Sequence, residues 1–154
     1  MSAPVVALRL RALGDVTLAT AAFRSLAAGH PDSPLHVVTE SRFAPLLAGQ
    51  PGIARVWALE RTTRSTLHTL RRLRALRPGL AVDLFGNARS AVLARGSGAA
   101  DVWGFDFRGR GRLYHHTVPR VAHAGEDERE YAAASLLRLA RAAGGAAVPA
   151  IPHL

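Results

Sequence analysis

Five short aliphatic runs, separated by stretches of helical periodicity, constrain this chain more than any other feature of its sequence. Val5 to Leu10 (VVALRL) is rich in β-branched residues and nearly continuous in hydrophobicity, as expected of a strand buried on both faces of a parallel sheet. A turn over Arg11 to Gly14 follows. Val16, Ala19, Phe23, Leu26 and Ala27 then recur at helical spacing until Gly29 and Pro31 stop the helix. The rhythm repeats. Leu35 to Thr39 (LHVVT) and Ile53 to Leu59 (IARVWAL) read as strands around a short helical segment, Phe43 to Ala48, each entered through a proline junction. A third junction, LRPG, closes a helix whose Leu67, Leu70, Leu73 and Leu76 form an apolar stripe while Arg71, Arg72 and Arg74 look outward. Leu80 to Leu84 (LAVDL) is the fourth strand. A helical segment, Arg89 to Arg95, leads through GSG to the fifth, Asp101 to Phe105. Strands alternating with helices predict βαβ units with right-handed crossovers, hence an α/β fold with a parallel sheet and helices on both faces.

Beyond the fifth strand the pattern loosens into Arg108 to Arg120, rich in Arg, Gly and His. A last helix is expected over Glu126 to Ala143, with Glu126, Asp127 and Glu128 in its first turn and Arg138 and Arg141 near its end, as the helix dipole favours. Gly144 to Leu154 has linker composition. The expected organisation is one domain over residues 1–143 and a linker over 144–154.

Composition narrows the chemistry. The 154 residues are 49% hydrophobic and 20% charged, which fits one folded domain. All 20 basic residues are arginine, against 11 acidic residues, for a formal charge of +9. Without lysine there is no Schiff-base catalysis, no phosphate-loop lysine and no receiver-type phosphoacceptor site. Bidentate guanidinium recognition of phosphate or carboxylate is available in abundance. The absence of cysteine removes disulfides, thiolate nucleophiles and cysteine metal sites. The first residues lack a basic signal-peptide region, and no uncharged stretch reaches the roughly 18 residues of a membrane span. The expectation is a cytoplasmic protein.

Ligands of an open parallel sheet bind beyond the carboxyl ends of its strands. Three segments stand there: Arg11 to Asp15, Glu60 to Arg64, and Gly86 to Arg89. Asp15 sits where an aspartate N-cap is favoured, and position alone ranks the cap ahead of a catalytic role. Gly14 allows close backbone approach by a substrate, and Thr17 and Thr20 add hydroxyls. Neither GxGxxG nor GxxxxGK[ST] occurs there. Arg61 and Arg64 fit a solvated loop or an anion site equally well. In DLFGNARS, Asn87 reads as an N-cap and Arg89 as a surface residue. The loop Phe107 to Arg120, with Arg110 and Arg112 near its centre, concentrates positive charge. No carboxylate stands at a helical ligand spacing from His115 and His116, so no metal site is expected.

Taken in order, RLRALGDVTLAT, SRFAPLLAGQPGIARVWALER, DLFGNARSAVLARGSGA, VWGFD, the arginine-rich loop ending in LYHH, and HAGEDEREY resemble glycosyltransferase family 9, the heptosyltransferase-like enzymes of lipopolysaccharide assembly. The resemblance covers nearly the whole chain. It implies a Rossmann-like domain forming the N-terminal, acceptor-binding half of a two-domain GT-B enzyme, with the C-terminal donor-binding domain missing. It places Asp15 on the family's catalytic base, which takes the proton of the acceptor hydroxyl as that hydroxyl displaces the leaving group with inversion. It also implies acceptor binding by Gly14, Thr17, Arg61, Arg64, Asn87, Arg89, Arg110 and Arg112. No cofactor or metal is expected in this domain; an ADP-heptose-like nucleotide-sugar donor belongs to the complete enzyme. The implied acceptor is the lipopolysaccharide core or a related acidic glycan. A lipid-linked acceptor implies peripheral contact at the inner face of the cytoplasmic membrane.

Two departures stand out. Ala21 occupies a position where the family commonly has proline, and the half that would bind the nucleotide is missing, so the chain alone is expected to be inactive. The alternative from another class is a basic module binding nucleic acid or an anionic surface, motivated by the +9 charge and the Phe107 to Arg120 loop. It ranks second because no RNA-binding signature is present.

Overall fold

A computed structural model describes residues 2–11, 13–106, 110–119 and 128–149; within these, the side chains of 13, 110 and 128–132 are left aside. The elements, in chain order, are β1 (Val5–Leu8), α1 (Leu13–Leu18), α2 (Thr20–Gly29), β2 (Leu35–Glu40), α3 (Ala44–Leu47), β3 (Ile53–Leu59), α4 (Thr63–Leu76), β4 (Leu80–Asp83), α5 (Ala88–Gly96), β5 (Asp101–Asp106), a 3-10 turn (Arg110–Leu113), β6 (His116–Pro119) and α6 (Glu128–Ala142). The strands form one six-stranded sheet in the order β3-β2-β1-β4-β5-β6. Every pairing is parallel. This is the Rossmann-like α/β architecture.

β1, β2 and β4 are buried along their whole length; β1 is apolar throughout, while β2 and β4 also bury His36, Thr39, Glu40 and Asp83. In β1, Val5 and Ala7 face one core while Val6 and Leu8 face the other. The first core adds Leu35, Val37, Leu80 and Val82 to Val16, Phe23 and Leu26 of α1 and α2, Leu47 of α3, and Leu136 and Leu139 of α6. The second packs Val38, Trp57, Leu59, Ala81 and Val102 against Leu73 of α4 and Ala91, Leu93 and Ala94 of α5. Helices therefore cover both faces, as expected. β3 closes one edge and exposes Ala54, Arg55 and Ala58.

Two features depart from the sequence reading. The first helix starts earlier and has a break: α1 already contains Gly14 and Asp15, and Ala19 separates it from α2. The hydrogen bonds Ala19 N–H to Asp15 O and Phe23 N–H to Ala19 O nevertheless carry the ladder across. Second, part of the loosened segment is a sixth parallel strand, β6, in register with β5 from Trp103 opposite His116 to Asp106 opposite Pro119. As the LRPG junction predicts, α4 ends at Leu76, with Arg77 in the left-handed conformation at φ 53°, since the following Pro78 disfavours a further helical residue.

The chain after α6 folds back on α2. Gly145 N–H bonds Ala140 O, Ala146 N–H bonds Ser25 O at 2.9 Å, and the Ser25 hydroxyl donates to Ala146 O at 2.6 Å. This approach requires glycine at position 29, because a Cβ there would lie 2.1 Å from Gly144 O.

Candidate functional site

All three segments singled out in the sequence lie at the carboxyl edge of the sheet, following β1, β3 and β4. Two ionic clusters are built there, one on Asp15 and one on Glu40.

Beyond β1 the backbone stays paired: Arg9 N–H bonds Val38 O, and Glu40 N–H bonds Leu10 O. Arg9 is thereby fixed at the edge, with its side chain 13% exposed. One terminal nitrogen donates to Leu84 O at 2.7 Å, and the other meets an Asp15 carboxylate oxygen at 3.1 Å. The Arg9 guanidinium also lies 5.0 Å from the Phe85 ring centroid, with Arg11 at 5.8 Å from the same ring. Arg9 thus ties the loop after β4 to the first turn of α1. Asp15 is the third residue of that helix rather than the residue before it, so the N-cap reading is replaced by a carboxylate in the first turn, where the helix dipole favours negative charge. Its side chain is 46% exposed. Gly14 is exposed, and nothing stands within 4 Å of where its Cβ would be, so the space above it is open. Thr17 is two residues on and faces another side of α1; its carbonyl accepts from the Thr20 hydroxyl at 2.8 Å.

Glu40 ends β2, is 4% exposed, and gathers arginines from the loops after β2 and β3 and from the start of α5. Arg61 grips it in two-pronged fashion, Nε to one carboxylate oxygen at 3.0 Å and a terminal nitrogen to the other at 3.3 Å. Arg42 reaches it at 3.4 Å and Arg89 at 4.0 Å. Burial pushes the Glu40 pKa up, but hydrogen bonds and charge from Arg61 and Arg42 outweigh it and the net shift is downward. One carboxylate against three guanidinium groups leaves the cluster positive. Arg89 also donates to the Glu60 carbonyl. Burial lowers its pKa, and Arg61 and Arg11 push the same way against Glu40.

A second buried carboxylate sets the loop that carries Asn87 and Arg89. Asp83, fully buried at the end of β4, accepts from Phe85 N–H at 3.0 Å, Gly86 N–H at 2.9 Å, the Ser90 hydroxyl at 2.9 Å and the Tyr114 hydroxyl at 2.6 Å. Burial raises its pKa, and these four donors offset part of the rise. Tyr114 reaches Asp83 across Gly104, where a Cβ would overlap the ring at 2.4 Å. Asn87 is the N-cap anticipated for α5: its Oδ1 accepts from Ser90 N–H at 2.7 Å, and the Ser90 hydroxyl accepts from Asn87 N–H.

Arg61 and Arg89 are therefore brought together on Glu40, and Arg89 is partly buried rather than a plain surface residue. Arg64, in the first turn of α4, is exposed and makes no ion pair among the described residues. Arg112 is exposed on the 3-10 turn, which packs on α5 and β5. The Arg110 side chain, Phe107 to Gly109, Arg120 and His123 to Asp127 lie outside the described residues. Sequence reasoning missed Arg9, Glu40, Phe85 and Tyr114. The available signals were an arginine and a glutamate closing otherwise aliphatic strands. Among the described residues no three His, Cys, Asp or Glu side chains cluster as metal ligands.

No family model matches the chain, and no curated protein matches it in sequence. Solved structures do match in fold. A glycosyl transferase family 9 protein from Veillonella parvula superposes with a TM-score of 0.76 at 17% identity, over 94% of this chain and 42% of that one. The E. coli heptosyltransferase WaaC with ADP gives 0.77 at 19% identity, over 95% and 48%. E. coli ADP-heptose lps heptosyltransferase II gives 0.69 at 21% identity, over 90% and 43%. The chain thus has the fold of one part of these proteins and spans less than half the length of each.

Proposed function

We propose that this chain is the N-terminal, acceptor-binding domain of an inverting, heptosyltransferase-like glycosyltransferase of family 9, with Asp15 as general base. The observation that supports it best is the half-exposed Asp15 carboxylate, held by Arg9 at the carboxyl edge beside an arginine cluster, in a fold shared with such enzymes over at least 90% of the chain.

In the complete enzyme the acceptor hydroxyl attacks the anomeric carbon of a nucleotide-sugar of the kind represented by the ADP-2-deoxy-2-fluoro heptose of a similar WaaC structure, with ADP, as in another, corresponding to the leaving group. The new glycosidic C–O bond forms, the bond from the anomeric carbon to the diphosphate oxygen breaks, and the nucleoside diphosphate leaves with the electron pair. The hydroxyl proton passes to the Asp15 carboxylate. Arg9 fixes that carboxylate against the β4 loop. Arg61, Arg64 and Arg89 receive the phosphate or carboxylate groups of a lipopolysaccharide-core acceptor, joined by Arg110 and Arg112, while Gly14 leaves room for the sugar and Thr17 lies in the same helix. Asn87 acts by capping α5 and so setting Arg89. The diphosphate is bound by a donor domain, and this domain alone binds acceptor without transferring sugar.

The test joins this domain to the donor-binding half of a family 9 enzyme and measures sugar transfer. Asp15→Asn should lower kcat by about 10²- to 10⁴-fold with acceptor binding retained. Near-normal turnover would remove Asp15 from catalysis.

A further inference from the structure

The two helical layers differ in charge. From Arg61 to Ala100, the stretch that builds α4, β4 and α5, the chain has eight arginines and one acidic residue, Asp83. That aspartate is fully buried and satisfied internally, so the exposed carboxylates nearest in sequence are Glu60 and Asp101, which flank the stretch, and the net charge of the layer stays strongly positive. Arg64, Arg71 and Arg77 are exposed and make no ion pair among the described residues, and Arg72 and Arg74 are exposed beside them. The same layer carries the two exposed large apolar side chains among the described residues, Leu67 on α4 at 50% and Val92 on α5 at 48%. Glu40 takes up Arg61 and Arg89, but Arg64, Arg71, Arg72, Arg74 and Arg77 around Leu67 have no ion-pair partner among the described residues, and aliphatic side chains standing among such cations form the pattern that settles on an anionic lipid surface.

We propose that the outer face of α4 and α5 docks on the anionic headgroups of a phospholipid bilayer. Charge complementarity selects the partner class, and the apolar pair selects lipid over RNA. Leu67 and Val92 have no role against a phosphate backbone, whereas in a membrane interface they bury area. The aromatic rings of this layer are already engaged: Trp57 is 7% exposed with Arg55 and Arg72 each 4.6 Å from its ring centroid, and the half-buried Phe85 faces Arg9 and Arg11. Docking by this face also suits the site. α4 begins at Thr63, two residues after Arg61, so its N-terminal turn stands at the carboxyl edge and its axis leads away from it. This inference does not depend on the glycosyl-transfer reading, since it concerns binding by the chain itself.

The test is sedimentation of the purified chain with vesicles of phosphatidylcholine alone or mixed with phosphatidylglycerol, beside titration with a single-stranded RNA at the same ionic strength. The chain should sediment with the mixed vesicles and not with pure phosphatidylcholine. Arg71→Gln/Arg72→Gln/Arg74→Gln should weaken vesicle binding by about tenfold or more. The charge-matched Arg24→Gln/Arg138→Gln/Arg141→Gln, on the opposite layer, should change it little. Leu67→Ser/Val92→Ser should weaken vesicle binding without altering RNA binding, with circular dichroism confirming that each variant folds. Equal losses in both arginine triples, absence of vesicle binding, or RNA binding tighter than vesicle binding and lost in the α4 triple would each overturn the proposal.

Discussion

Glu40 and Asp83 end the two strands that flank β1, and both are buried, yet their partners differ in kind. Every partner of Glu40 is an arginine, and Arg42 and Arg61 have side chains 59% and 55% exposed. Among the described residues every hydrogen-bond partner of the Asp83 carboxylate is a neutral donor, two backbone amides and two hydroxyls, of which only the Phe85 amide is part-buried. One carboxylate holds charge in place at the surface, and the other holds a loop in shape. Environment, more than residue type or strand position, decides which task an acid at a strand end performs.

The contrast predicts unequal costs. Asp83→Ala should be the most damaging change, because it removes at once the acceptor shared by two buried hydroxyls and two loop amides; a loss of about 4 kcal/mol in chemical denaturation is expected. Gly104→Ala should follow at about 2–3 kcal/mol by forcing the Tyr114 ring off Asp83. In a Tyr114→Phe background the hydrogen-bond share of that loss should vanish, and full additivity in the double mutant would disprove the link. Glu40→Gln should cost only about 1 kcal/mol, because its partners remain hydrated. That loss should shrink in high salt, whereas the Asp83→Ala loss should not.

The smallest effect is the most diagnostic, because its sign differs between the two. The Glu40 pKa is lowered from 4.5, so its stabilising contribution is present above that pH and is lost as the pH falls through the lower folded value. The Asp83 pKa is raised from 3.8, so its contribution is full below that pH and is lost as the pH rises through the higher folded value. Acid titration of stability in wild type against Glu40→Gln and Asp83→Asn should therefore give difference curves of opposite slope. Slopes of the same sign would mean that the two sites are not electrostatically distinct.

The same physics explains what could be read from the sequence. β1, β2 and β4 are legible because strands covered on both faces are built around aliphatic pairs, Val5-Val6, Val37-Val38 and Ala81-Val82, even where a polar residue closes the strand. β6 is not, since three of its four residues are exposed, only Val118 is buried, and it ends in proline. The helix cap at Asn87 is legible because its partner Ser90 is three residues away. The role of Glu40 is not, because it reads as the polar end of an aliphatic strand and its firmest partner lies 21 residues on. Tyr114 stands 31 residues from Asp83 and sits in an arginine-glycine stretch that gives no sign of burial. Asp15 was visible as a residue of interest, but its salt bridge to Arg9 depends on the chain's path beyond β1, and Arg9 in sequence looks like a mere interruption of the hydrophobic run.

The folded-back segment after α6 has a mechanical consequence. Ser25 and Ala146 clasp each other, and Arg24 reaches the Pro149 carbonyl at 3.3 Å, so a load applied at residue 149 enters the molecule through α2 as well as through α6. From α2 the hydrogen-bond ladder crosses Ala19 to the Asp15 carbonyl. The segment is therefore tied by hydrogen bonds to the flank of α2, and through the ladder across Ala19 to the backbone of the turn that carries Asp15.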